Sequence, residues 1–323
     1  MVSKTTDKEL NKVNKKSEDG KKVSIIVCTL NMPTLKECLE SIYSQTYEDF
    51  EVIIVSPNND IETRILEFGG TKFGDIKFLI SDKASVSRQR NMGIKHARGE
   101  IVAFIDDDSI ANKDWILNLM KNYTNEDIMC VGGKIIPRFS GKVSDELKKL
   151  PDGIFKGFVG WTVIESENST EINIPALWAS NISFRKEVFE IIGGFDEELG
   201  KTPDKLMCEE EIDIQAKILN KGYKIIYEPK SIVTHIVDSK KLTKNYFIKR
   251  AFWQGFSEVI KIRKYNDFQK ELIGMKPSQL DYMNNIKLAE LMFELSANTN
   301  LEKNVKASYE IGRMIGLSHL AKR

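Results

Sequence analysis

Over its first 125 residues the chain alternates between two patterns of hydrophobic and polar positions. Short apolar runs, VSIIVCT from Val23, FEVIIVS from Phe50, IKFLIS from Ile76 and IVAFI from Ile101, lack polar alternation and are rich in branched side chains, as expected of strands buried on both faces. Between them the apolar positions fall at helical spacing. Pro33 suits the first turn of a helix carrying Leu35, Leu39, Ile42 and Tyr43 to about Gln45, followed by helices over Asp60 to Phe68 and Ser85 to Ala97, the last broken at Gly99. Four such alternations predict right-handed βαβ units and an α/β fold with a mostly parallel central sheet flanked by helices.

The second half is less regular. Asp127 to Ile136 predicts a strand, Pro137 to Glu171 a long connection, and SFRKEVFEIIGGFDEEL a short helix stopped by Gly193-Gly194. A helix over Glu209 to Asn220 precedes two short strands, YKIIYEP and SIVTHIV, on either side of Pro229. Tyr246 to Arg263, Pro277 to Ser296 and Leu301 to His319 then read as three amphipathic helices. The expected organisation is a disordered Lys-rich tail over 1–22, one domain over 23–240, and a helical extension over 241–323 that packs, touches a membrane or dimerises.

Composition narrows the partners. A net charge of +1 gives no reason to expect nucleic acid. The four cysteines form no CxxC pair, which disfavours a zinc site or disulfide framework and fits a reduced, cytoplasmic compartment. No apolar run reaches the roughly 18 residues of a membrane span, so any membrane association is expected to be peripheral.

Candidate chemistry concentrates in two acidic clusters. Asp106, Asp107 and Asp108 end the fourth apolar strand, where an open α/β sheet binds its ligands, and adjacent like charges there call for a cation, a basic partner or full solvation. A divalent metal and an ordinary acidic turn both satisfy that demand. Glu209, Glu210, Glu211 and Asp213 open a later helix; meeting the helix dipole explains some of them, but four carboxylates in five positions exceed that need and could tune one as a general base. His235, in SIVTHIV, fits either a structural or a ligand role. Arg88 and Arg90 suit a phosphate or a solvated helix face equally. The turn after the first strand, Cys28 to Asn31, has no glycine, which argues against NAD or FAD.

Five blocks in order, VSIIVCTLNMPTLKECLESIYSQTYEDFEVIIVS, SRQRNMGIKHARGEIVAFIDDDS, SNISFRKEVFEIIGGFDEEL, EEEIDIQAKILNKGYKIIYEP and IVTH, resemble a family 2 glycosyltransferase of the GT-A fold over about residues 23 to 237. Within that family, Leu150-Pro151 and the triple glutamate are similar to enzymes of lipid-linked or cell-surface glycan assembly, including archaeal dolichyl-phosphate glucuronosyltransferases. The resemblance implies a metal-dependent, inverting transfer from a nucleotide-sugar donor, expected to be a UDP-sugar, to a glycan or polyprenyl-linked acceptor. It implies Asp106 and Asp108 as a DXD pair around Asp107, with Asp108, Asp106 and His235 on Mn²⁺ or Mg²⁺. Thr29 and Asn31 would line the nucleobase pocket, Arg90 and Asn91 the diphosphate, and Ser180 and Asn181 the sugar. Glu211 would be the catalytic base, with Asp213 and Glu210 beside it. Ser56 stands where the family usually has an aspartate for uracil, which loosens the expected base preference.

Two rival readings make different demands. A sugar nucleotidyltransferase needs a glycine-rich phosphate loop that CTLNMPT does not provide, and a silent nucleotide-sugar-binding scaffold has no use for both acidic clusters and His235. Basic and aromatic residues interleave from Lys240 to Lys264, which fits either packing on the domain or contact with an anionic membrane surface.

Overall fold

The computed structural model describes residues 23–30, 33–69, 73, 76–262 and 300–321. The expected tail, Asn31 and the expected helix from Pro277 to Ser296 lie outside the described residues.

The parallel half follows the apolar runs. Strands β1 (Val23–Cys28), β2 (Phe50–Ser56), β3 (Ile76–Ile80) and β4 (Ile101–Asp106) pair in parallel in the order β3-β2-β1-β4. Helices α1 (Leu35–Tyr43), α2 (Ile61–Glu67) and α3 (Val86–His96) connect them. Both faces are covered, which is why these strands lack polar alternation. Val23, Ile25 and Val27 join a core with α1 and α2 on one face, whereas Ile26 packs with Ile94 of α3 on the other.

Beyond β4 the sheet becomes mixed. Strand β5 (Ser109–Ala111), helix α4 (Trp115–Met120) and strand β6 (Ile128–Phe139) are followed by helices α5 (Asp145–Lys148) and α6 (Asp152–Phe158) and strand β7 (Thr170–Ile172). The long connection expected from Pro137 therefore begins inside a strand and holds two helices. Their 4 and 7 residues are too short to print a helical period. Ile182–Arg185 is strand β8, antiparallel to β4 and β6, so the helix expected from Ser183 starts only at α7 (Val188–Ile192).

After helix α8 (Glu210–Asn220), the two short strands expected around Pro229 form one strand, β9 (Lys224–Val237). Its pairing with β6 shifts register between Gly133 and Lys134, so Pro229, Lys230 and Ser231 are skipped and the proline's missing donor disrupts no ladder bond. Gly133 permits this, since a Cβ there would overlap the Ser231 carbonyl oxygen.

Helices α9 (Lys244–Ile262) and α10 (Leu301–Ala321) complete the described chain. They cross closely at glycines: a Cβ on Gly255 would meet the Tyr309 carbonyl, and one on Gly312 the Phe252 carbonyl. The extension shares a core with the region after β6, where Phe247, Ala251, Leu301 and Val305 pack with Leu147, Leu150 and Val159. Trp253 and Phe256 pack on Leu199, Met207 and Ile260. Of the aromatic stripe Phe247 is buried, while Tyr246, Phe252, Trp253 and Phe256 are half-buried.

Candidate active site

The carboxyl ends of β1 and β4, the start of α3, the loop into α8 and the end of β9 enclose a cleft of about 370 Å³. Thr29, Arg90, Asp106, Asp107, Asp108, Ser180, Glu210, Glu211 and His235 all line it, so most of the expected site residues are brought together.

Each aspartate of the first cluster has its own partner. The Thr29 hydroxyl donates to Asp107, tying the end of β1 to the end of β4. Asp106 keeps 40% of its side-chain surface in the cleft and has Arg90 Nη2 3.4 Å from its Oδ1. Asp108 is the most enclosed by charge, with Lys241 Nζ 3.0 Å and His235 Nε2 3.4 Å from its Oδ2. Burial pushes the Asp108 carboxyl up, but the His235 hydrogen bond and the His235 and Lys241 charges outweigh it and hold it well below the usual carboxylate range. The other imidazole nitrogen, Nδ1, lies 2.9 Å from the Val159 carbonyl oxygen, which fixes the ring.

The second cluster is differently served. Glu209 opens α8 with a φ of 83°, the one non-glycine positive φ among the described residues. Both its oxygens are held by α9: Gln254 donates to one and Lys261 to the other. Such left-handed strain at a ligand cleft survives only when its surroundings hold it in place. Glu210 accepts from Arg90 Nη1 at 2.7 Å, so one buried guanidinium bridges the two acidic clusters. Glu211 Oε2 is buried with no hydrogen-bond partner. Burial first, then the Glu210 charge, push the Glu211 carboxyl well above its ordinary value; Arg90 opposes this without reversing it.

Four expected residues fall elsewhere. Asn91 is engaged at both ends by the Phe195 backbone, at 2.8 Å each way, and clamps the turn after α7. Asn181 is fully buried, accepts from the Trp115 indole and donates to the Lys134 and Ser231 carbonyls. Ser56 is buried at the end of β2, its oxygen accepting from the Asn58 amide. Asp213 sits one turn behind Glu210, fully buried, with Lys217 Nζ 2.6 Å away. All four lie off the cleft wall with their polar atoms already engaged, those of Asn91 and Asn181 by groups distant in the chain and those of Ser56 and Asp213 by near neighbours. Arg88 likewise turns outward to Asp82 and Glu197.

The cleft also holds residues that periodicity and charge pattern did not single out: Gln89, Lys201, Lys241 and Arg250. Gln89 donates to the Val55 carbonyl, and Lys241 reaches Asp108 from a 3₁₀ turn after β9. The available signals were weak, namely a glutamine between two arginines and one lysine in a run of several.

Among the described residues no three His, Cys, Asp or Glu side chains converge as a metal cage, and Asp106 faces Arg90. Asp108 and His235 remain a facing carboxylate–imidazole pair that already carries the Lys241 cation. That donor chemistry suits a divalent ion completed by ligand oxygens.

Residues 24–193 match the family model described as Glycosyl transferase family 2. The chain is 31% identical over 249 residues, 73% of its length and 76% of the relative's, to a glucosyl-dolichyl phosphate glucuronosyltransferase of Haloferax volcanii. It is 23% identical to the O-antigen chain rhamnosyltransferase WbaN of Salmonella anatum, over 72% of this chain and 70% of that one. GalNAc-T7, solved with UDP, GalNAc and Mn²⁺, superposes with a TM-score of 0.53 at 15% identity over 79% of this chain, which spans 55% of the solved chain. That similarity is one of fold.

Proposed function

The chain belongs to glycosyl transferase family 2, and from that premise we propose that the cleft binds a nucleotide-diphosphate sugar and transfers the sugar, with inversion, to an acceptor hydroxyl. The observation that carries this reading is the buried, unpartnered Oε2 of Glu211 beside the Arg90 bridge. A carboxyl whose proton affinity is raised by burial suits a general base working near neutral pH, whereas a fully ion-paired one does not.

In the proposed step the acceptor oxygen attacks the anomeric carbon while the bond from that carbon to the diphosphate oxygen breaks on the opposite face. The diphosphate leaves with the bonding electrons, and Glu211 takes the hydroxyl proton. Arg90 keeps Asp106 and Glu210 in place on either side of the cleft. Asp108 and His235 are the residues that would hold Mn²⁺ or Mg²⁺, which when bound neutralises charge on the diphosphate. Ser180, on the cleft wall, is suited to the sugar, and Thr29 to the nucleotide end. The archaeal relative's name indicates a sugar carried on a lipid phosphate, and the same acceptor class is proposed here. Such an acceptor would bring the enzyme to a membrane surface, although among the described residues no helix is long and apolar enough to cross one.

Glu211→Gln tests the reading. Turnover with a panel of nucleotide sugars is expected to fall about 10²- to 10⁴-fold while UDP affinity stays unchanged. Unchanged turnover would remove Glu211 from the role of base.

A further inference from the structure

A second cavity, about 760 Å³ against about 370 Å³ for the cleft, lies between α6 and the α9–α10 pair. The two share Gly157, Phe158, Trp178 and Arg250, so they meet at a common wall. The surface of the larger one is mostly apolar, with Ile154, Phe158, Val163, Trp178, Ala251 and Val305 in its wall, and the carboxylates Asp152, Glu165, Glu258 and Glu310 line it as well. A volume of this size and character suits an apolar ligand of drug or lipid dimensions.

Arg250 stands at the junction. Its Nη1 donates to Cys208 Sγ at 3.1 Å and to Gln254 Oε1 at 3.0 Å, and the guanidinium lies over the Phe158 ring at 5.2 Å. Neither partner is charged, since burial pushes the Cys208 thiol up to about 12. Glu258, two turns along α9, turns instead to Gln254 and Tyr309. Among the described residues Arg250 therefore makes no direct ion pair, although the Glu209 charge acts on it, and its hydrogen bonds use Nη1 alone. A guanidinium in this state matches the paired oxygens of a phosphate.

We propose that the larger cavity is the acceptor-lipid subsite: the apolar chain of a lipid phosphate lies between α6 and the α9–α10 pair, and its phosphate rests on Arg250 at the passage into the cleft. This rests on the glycosyl-transfer reading and adds to it the place where the acceptor is held. It also gives the extension a task, since one face of α9 both anchors Glu209, through Gln254 and Lys261, and carries Arg250. With the phosphate at the junction, the sugar it bears reaches toward Glu211 while the chain stays out of the donor cleft.

Calorimetry on the full chain with farnesyl phosphate, farnesol and inorganic phosphate tests the assignment. Farnesyl phosphate is expected to bind roughly 10- to 100-fold more tightly than farnesol, the margin of a charge-assisted hydrogen-bond pair. Arg250→Gln should erase that margin. Gly153→Trp places a bulky ring in the larger cavity from a position where a Cβ meets no atom within 4 Å, and should reduce farnesyl phosphate to the affinity of inorganic phosphate. Circular dichroism and thermal midpoints establish that both variants fold, with Arg250→Met as the substitute if the glutamine variant does not. Farnesyl phosphate binding that is absent, equal to that of farnesol, or untouched by Gly153→Trp overturns the subsite. The donor reading fails on a separate result, namely no nucleoside diphosphate release from any nucleotide sugar by the unaltered chain, so the two failures are distinguishable.

Discussion

The two acidic clusters face one cleft but are built on opposite principles. In Asp106, Asp107 and Asp108 each carboxylate has its own cation or hydroxyl donor. In Glu209, Glu210 and Glu211 the first two are neutralised by Lys261 and Arg90, while the third keeps an oxygen buried and unpartnered. Partnered carboxylates stay ionised and hold charge in place, whereas one left without a partner in low dielectric keeps its proton to higher pH. The contrast separates carboxylates that manage donor charge from one that can accept a proton.

Removing the group common to both clusters should have the largest effect. Arg90→Gln leaves Asp106 and Glu210 without their buried cation, and urea denaturation should show a loss of about 3–5 kcal/mol. A loss below about 1 kcal/mol would mean the clusters are not coupled through Arg90. Next is Asp108→Asn, which keeps shape and removes charge. UDP affinity in Mn²⁺ should fall at least by the roughly 10- to 100-fold that accompanies loss of an outer partner of a metal ligand, while affinity without metal changes little. Equal losses with and without metal would assign Asp108 to the nucleotide itself.

The smallest expected effect is on stability and carries a definite sign. The folded carboxyl of Glu211 binds its proton more tightly than the unfolded one, so its contribution is fully present below the ordinary value of 4.5 and is lost as pH rises through the raised folded value. Glu211→Gln should therefore melt like the unaltered protein near pH 4, and at a higher temperature than it in neutral and alkaline buffer. A variant that melts lower at neutral pH would show that the ionised carboxylate is stabilised by its surroundings.

Much of this was legible in the chain itself. The unbroken apolar runs marked β1, β2 and β4, and the acidic runs at Asp106 and Glu209 marked two walls of the cleft. Misread elements have specific causes. Helices α5 and α6 are too short to show a period, and β9 runs through Pro229 because Gly133 of β6 makes room for a bulge. At the site, Asn91 and Asn181 carry the right chemistry, but their amides are committed to backbone 104 residues away in one case and to Lys134 and Ser231 in the other. Arg250 was hidden for the same reason in reverse: its lack of a direct ion pair exists only once the chain is folded. Local pattern reports which groups are available, and long-range pairing decides which are free to act.

The most direct measurement is the pH dependence of kcat/KM for sugar transfer. If Glu211 is the base, the rate should rise tenfold per pH unit on the acid side and level off at a midpoint well above the usual carboxylate value of 4.5, with that limb absent from the residual activity of Glu211→Gln. A profile flat from about pH 5 to 8, or an acid limb that survives in Glu211→Gln, would contradict the account.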